Sequence, residues 1–372
     1  MRTRSLGAVV VLLAAGTGAR TVPDLPQDMH QWALASIDLV YRQDFAGAEE
    51  QASRIVHHYA DHPAGYFFRA ASLDAWMALN QSTSRENDFY RDCNLAVEKA
   101  ELLADRGEDN AWTQFFMGGA EGLKGSYEMR YGRWITAFRY GWKGVTVLRR
   151  LRRDAKDMRD IDYGIGSYMY WRSAMARILK WLPEVADERE KGIALLWSAR
   201  RQGVYTRMAS ATMLLEAMFN ESRYDTMLTL SEELLRSYPR SLLFQNGKAR
   251  ALYGLGRYEE AERLFQIVLS GFESAGLESR FQTATARYWL ARTYYQMGRY
   301  ASCIAECEAM RRLAQGEDLS RRMAETLAEA MELQQAATRQ RAGAPPGGQD
   351  SARHGRGRAA DGAGGCEDKG RP

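Results

Sequence analysis

Apolar residues recur at spacings of three and four along most of the chain. Trp134, Ala137, Phe138, Trp142 and Val145 illustrate the pattern. That spacing places side chains on one face of an amphipathic helix. Over the middle of the chain, roughly 64–203, it predicts helices near 64–80, 86–105, 109–129, 132–153, 158–181 and 187–202. Proline supports the same reading. Between Arg20 and Thr338 it occurs only at 23, 26, 63, 183 and 239, and Pro63, Pro183 and Pro239 sit where helices start or stop. A proline inside a helix loses a hydrogen bond and clashes with the preceding turn, so the spacing predicts long helices with short connections.

Self-similarity sharpens the picture. Tyr224, Tyr258 and Tyr300 each open a similar helix, and the first two are 34 residues apart. The next interval is 42, the same period with eight extra residues assigned to the connection Ser270–Gly276. Gly256 and Gly298 stand two residues before their tyrosines, where a left-handed residue would end a helix; Ser222 takes that place in the first repeat. Seven residues before each turn come Leu215, Ala249 and Ala291, and three after each tyrosine come Met227, Ala261 and Cys303. These are positions where two helices approach closely. The stretch Tyr253-Gly254-Leu255-Gly256-Arg257-Tyr258-Glu259-Glu260-Ala261-Glu262-Arg263-Leu264-Phe265 resembles a tetratricopeptide repeat. The resemblance implies an all-α solenoid of helical hairpins in a right-handed superhelix. A degenerate unit opens the chain at 28–63: His30 to Arg42 as its first helix, Phe45 and Ala48 in the tyrosine and small-residue places, and Pro63 starting the next helix. The repeats proper occupy 204–338 with a C-terminal capping helix, and 64–203 is irregular.

Two segments of that irregular region stand out. Phe115 to Gly125 holds four glycines in a predicted helix, each costing about 1 kcal/mol relative to alanine. Gly118 and Gly122 fall on one face, which close packing of a neighbouring helix would explain; a phosphate loop is the sharper reading, but Lys124 precedes Gly125 instead of following it. The second segment runs Asp162-Tyr163-Gly164-Ile165-Gly166-Ser167-Tyr168-Met169-Tyr170-Trp171-Arg172-Ser173, followed by Leu182-Pro183 and Asp187-Glu188-Arg189-Glu190-Lys191-Gly192. Over residues 110–220 this is similar to a set of uncharacterised bacterial tetratricopeptide-repeat proteins. It is more distantly similar to the tetratricopeptide-repeat-39/inclusion-body-clearance family of eukaryotes. Both resemblances imply a scaffold or binding role and no catalytic residues.

Charge and the termini modify the picture only at the ends. Of the net +4, two charges come from Arg2 and Arg4 and three from the tail 339–372, so the body is nearly neutral. Nothing there predicts nucleic-acid binding. Arg2 and Arg4, the apolar run Leu6–Ala15 and the small residues to Ala19 read as a signal peptide over 1–19, too short to span a bilayer. The expected destination is the periplasm or cell envelope. The tail 339–372, rich in Gly, Ala, Arg and Pro, is expected to be disordered. Cys303 and Cys307, four apart on one helix, read as small core residues.

Candidate chemistry is sparse. His58 and His62, with Asp61, have two-ligand metal spacing, but a solvated helix end explains them as well, and no metal or cofactor is expected. No nucleophile elbow or isolated carboxylate pair is present, so the chain reads as a binder and not as an enzyme. The basic run Arg149-Arg150 with Arg152-Arg153 reads as a solvated face, with an anionic partner as the sharper alternative. In tetratricopeptide repeats helix-A positions two, five, nine, twelve and thirteen line the concave groove. The resemblance therefore nominates Asn246, Arg250, Tyr253, Tyr288, Arg292 and Tyr295 for an acidic or C-terminal peptide. Pairing of Arg250 and Arg292 with the protein's own carboxylates is the equal alternative. Tyr168, Tyr170, Trp171 and Arg172 form a second candidate surface. A small-ligand receptor or enzyme pocket within 110–180 is the other function class.

Overall fold

The computed structural model describes residues 25–178, 186–274 and 280–343. The proposed signal peptide and all of the tail beyond Gly343 lie outside them. Among the described residues there are sixteen helices and no strand, the all-α solenoid that the pattern predicts. The first eight are α1 (Gln27–Tyr41), α2 (Phe45–His58), α3 (Pro63–Asn80), α4 (Glu86–Asp105), α5 (Ala111–Arg130), α6 (Trp134–Asp154), α7 (Asp160–Ile178) and α8 (Arg189–Gln202). They are followed by α9 (Arg207–Asn220), α10 (Tyr224–Ser237), α11 (Leu242–Gly254), α12 (Tyr258–Ser274), α13 (Arg280–Gln296), α14 (Tyr300–Leu313), α15 (Glu317–Arg322) and α16 (Ala324–Gly343). From α1 to α14 each helix packs on the next along the chain, and α16 covers α13 and α14.

One turn recurs. In the hairpins α1–α2, α5–α6, α9–α10, α11–α12 and α13–α14 the penultimate turn residue is left-handed: Gln43, Gly132, Ser222, Gly256 and Gly298, with φ of 65°, 72°, 55°, 74° and 71°. The next N–H then reaches back five residues, as in Arg257 to Leu252 and Arg299 to Tyr294, both at 2.9 Å. This closure satisfies carbonyls that the helix end leaves open. The α5–α6 hairpin therefore carries a further repeat signature inside the segment read as irregular. Trp134 stands in the tyrosine place, Ala137 in the small-residue place, and Gly125 seven residues before the turn.

Glycine sets how closely these helices approach. A Cβ on Gly144 would lie 2.6 Å from the Gly118 carbonyl oxygen, and one on Gly125 would lie 2.9 Å from the Gly141 nitrogen. Gly118 and Gly125 of the α5 run thus pack on α6, Gly119 faces Phe67 of α3, and a Cβ on Gly122 would meet nothing within 4 Å. Trp142, which the spacing groups with the apolar face, instead stands 54% exposed. The insertion expected in the connection after Ser270 begins as helix, since α12 continues to Ser274. Similarly, α16 runs to Gly343, so residues 339–343 of the expected tail are its last turn. Cys303 and Cys307 are buried core residues, as expected, and so is Cys93.

The chain also closes on itself. The Tyr41 ring stacks on Phe244 of α11 at 5.9 Å, and the Tyr238 hydroxyl donates to Asp38 at 3.0 Å. Leu79 of α3 packs against the cluster of Val268, Phe272 and Ala286. Asp160, almost fully buried, accepts backbone N–H bonds from Val204, Tyr205 and Thr206 at 2.8–2.9 Å. Three donors on one carboxylate fix the entry of α9.

Candidate functional site

Stacking of α9, α11 and α13 brings equivalent positions of successive repeats side by side. Position nine is Glu216, Arg250 and Arg292; position twelve is Phe219, Tyr253 and Tyr295. Arg250 faces the carboxylate one repeat earlier, with Nη1 2.9 Å from Glu216 Oε1. Its guanidinium carbon lies 3.9 Å from the centre of the Phe219 ring and 5.7 Å from that of Trp289. The Arg250 side chain is only 14% exposed. The alternative of an internal partner therefore holds for Arg250.

It does not hold for Arg292. The residue one repeat back is Arg250, a like charge, and Arg292 has no carboxylate partner among the described residues. Its guanidinium carbon lies 4.8 Å from the centre of Trp289, 5.2 Å from Tyr253 and 5.6 Å from Tyr288. Three ring faces hold the planar group through cation–π attraction, while its N–H donors keep their capacity for an anion. Tyr288 is fixed by α16, donating to Glu329 Oε2 at 2.5 Å. Burial and that carboxylate raise the Tyr288 phenol well above its ordinary pKa, so the ring stays neutral.

The structure thus brings Arg250, Tyr253, Tyr288 and Arg292 together. Asn246 is half-buried on α11, and Tyr295 packs edge-on to Tyr300 at 5.7 Å. Two members were missed. Glu216 is found by the same count back, applied to Tyr224. Trp289 lies three residues before Arg292, large where the other repeats have Met213 and Gly247.

Of the second candidate surface one residue is core and the other three are half-buried. Tyr170 is fully buried. Trp171 donates its indole N–H to the Met213 sulfur at 3.2 Å, and Arg172 is paired with Glu188. The distinctive glycines serve the α7–α8 contact: a Cβ on Gly166 would lie 2.8 Å from the Gly192 carbonyl, and one on Gly192 2.7 Å from that of Gly166. Ser173 accepts from the Glu188 N–H, and Arg189 binds Asp187 and Glu221. Tyr168, Trp171 and Arg172 are each half-buried, and Tyr168 lies beside Trp142 with ring centres 6.4 Å apart. Three further rings of 110–180 are used in packing too. Trp112, Phe115 and Phe116 pack with Phe68 and Tyr205 in one buried cluster.

The histidines do not converge on a metal. His62 Nδ1 accepts from the Ala64 N–H at 3.2 Å and so caps α3. His58 Nδ1 contacts the Arg54 carbonyl oxygen at 3.0 Å. The described residues contain no cluster of three metal-ligating side chains, and none of their helices is long and apolar enough to cross a membrane.

No curated protein matches the chain. Among solved structures it is similar to the TPR2AB domain of yeast Sti1, in a structure titled as a complex with pHSP90. The identity there is 14% and the TM-score 0.27, over 83% of this chain and 98% of that one. It is also similar to yeast Tom70, at 12% identity and TM-score 0.23, over 86% and 90% of the two chains. The Cut9–Hcn1 hetero-tetramer of the APC/C gives 12% identity and TM-score 0.26, over 84% and 72%. The tetratricopeptide repeat family profile matches residues 240–305. That segment contains the α11–α12 hairpin, all of α13 and the start of α14, with the turn and spacing described above, and on this ground the chain carries tetratricopeptide repeats.

Proposed function

We propose that this chain is an exported, non-catalytic scaffold that binds a protein or peptide partner through the groove around Arg292. The observation that carries the reading is the contrast between the two groove arginines. Arg250 is matched by Glu216, whereas Arg292 is held by three rings and meets no carboxylate among the described residues. A planar guanidinium preset in this way is suited to a carboxylate, through two parallel charge-assisted hydrogen bonds. Tyr253 supplies amphipathic contact area beside it. Stacked repeats present such positions along an extended concave surface, the usual binding face of solenoids. The expected ligand is an acidic or C-terminal peptide segment. Export rests on the charged, apolar and small-residue order of residues 1–19.

The direct test is affinity capture from cell-envelope extract with the wild-type chain beside Arg292→Gln. A partner retained by the wild type and lost from the variant supports the groove. Identical retention by both removes Arg292 from the interface.

A further inference from the structure

Between Trp134 and Arg153 the chain contains no acidic residue. This stretch is all of α6 except its last residue, Asp154, and the helix buries Ala137, Val145, Leu148 and Leu151 against its neighbours α5 and α7. Its opposite face is open. Ile135 and Trp142, at 78% and 54%, are the two most exposed large hydrophobic residues among those described. They are seven residues apart and so lie in one line along the helix. Arg139, Lys143, Arg149, Arg150 and Arg153 flank that line and are all exposed. None of the five has a carboxylate partner among the described residues. Arg152, set off to one side, is the member of the basic run that is paired, with Asp162 at 2.8 Å. Five like charges thus stand along about 20 Å of helix, none of them ion-paired among the described residues and with Asp154 at the C-terminal end the one carboxylate on the helix, and two bulky apolar side chains share their face.

That arrangement selects among anionic partners. A nucleic-acid backbone offers no apolar phase for a protruding isoleucine. An acidic protein would need a matching pocket for each protruding side chain. A bilayer surface accepts both without prior shape. Trp and Ile enter the headgroup–acyl boundary, and Lys and Arg stems carry their charges to lipid phosphates. Tyr168, against Trp142 and 6.0 Å beneath the Arg149 guanidinium, forms an amphipathic shoulder to the line.

We propose that the outer face of α6 is a docking surface for an anionic phospholipid bilayer. Ile135 and Trp142 insert at the boundary and the five cations rest on the headgroups. The contact is peripheral and lies on a different helix from the Arg292 groove.

The test is co-sedimentation of the full chain with vesicles of phosphatidylcholine alone and of equimolar phosphatidylcholine and phosphatidylglycerol. Binding is expected to the mixed vesicles only, and to weaken with added salt. Arg149→Gln/Arg150→Gln/Arg153→Gln should lower partitioning about a hundredfold, at roughly fivefold per cation. Ile135→Ser/Trp142→Ser should lower it by about tenfold or more, with helical circular dichroism retained. Bromine-labelled acyl chains should quench tryptophan fluorescence in the wild type and do so less in Trp142→Phe. Arg292→Gln should bind vesicles normally, which separates this face from the groove. Equal binding to neutral vesicles, or wild-type binding by both α6 variants, overturns the proposal. So does capture of an acidic peptide or a nucleic-acid duplex by this face with no vesicle binding.

Discussion

Arg292 lies over the ring of Tyr253, with its guanidinium carbon 5.2 Å from the ring centre. Arg250 repeats the relation one unit earlier, over Phe219 at 3.9 Å. In each case position nine of one repeat covers position twelve of the repeat before it. What differs is the residue at position nine of that earlier repeat. Glu216 attracts Arg250, and Arg250 repels Arg292. Two arginines in equivalent places therefore have different surroundings: Arg250 pairs with the carboxylate of the preceding repeat, and Arg292 is held by rings alone.

The difference predicts unequal stability costs. Arg250→Ala removes a largely buried stack and strands the Glu216 carboxylate, and should cost about 1–3 kcal/mol. Arg292→Ala removes ring contacts only and should cost less than about 1 kcal/mol. Urea unfolding of the two variants beside wild type measures both. Equal losses would contradict the division of roles.

The glycines predict opposite signs within one molecule. Gly166→Ala places a Cβ 2.8 Å from the Gly192 carbonyl, where two backbones meet. Overpacking of this kind should destabilise by about 1–3 kcal/mol. Gly122→Ala meets nothing within 4 Å on an exposed helical position. It should stabilise by about 0.5–1 kcal/mol, since alanine favours the helix. Melting temperatures should move in opposite directions; a gain in Gly166→Ala would refute the close α7–α8 contact.

His62 predicts a pH dependence. Burial lowers its pKa from 6.5 to about 4, and its neutral ring accepts the Ala64 N–H that opens α3. The folded state thus takes up a proton less readily than the unfolded chain. The stability it contributes is complete above pH 6.5 and declines as pH falls toward 4. Between neutrality and about pH 4.5 the loss assigned to this partly exposed group is about 1–2 kcal/mol. His62→Asn keeps a capping oxygen without the titration. Denaturant midpoints across this range should fall less in the variant, and parallel curves would assign the acid sensitivity elsewhere.

These sites show which features were legible in the sequence. Helix positions followed from apolar spacing, and Pro63 starts α3 as its place predicted, whereas the Asn110 cap of α5 went unread. The Tyr224–Tyr258–Tyr300 register placed Arg250 and Arg292 at equivalent positions, yet it could not show that their environments differ. That follows from Glu216, a residue of the preceding repeat whose relevance appears only once the repeats stack. The α5–α6 hairpin was hidden because Trp134 replaces the tyrosine and Gly125 the usual alanine. Tyr170 misled for the converse reason. Aromatic and glycine enrichment marks close helix packing as readily as a binding surface, and only burial separates the two.

Export is independently testable. If residues 1–19 act as a cleaved leader, the mature chain begins near Arg20. Expression of the full chain, fractionation and N-terminal sequencing should find Arg20 or a neighbouring residue at the start of envelope-located protein. An intact Met1 on cytosolic protein would exclude export by this route.

The central claim is that Arg292 receives a carboxylate from a peptide. A peptide array of acidic segments with free C-termini, each beside its uncharged and amidated counterpart, probed with wild type and Arg292→Gln, tests it most directly. The predicted result is a set of peptides whose affinity falls about tenfold to a hundredfold on either change, with no further loss when both are made. Equal affinity of wild type and Arg292→Gln for every retained peptide would contradict it.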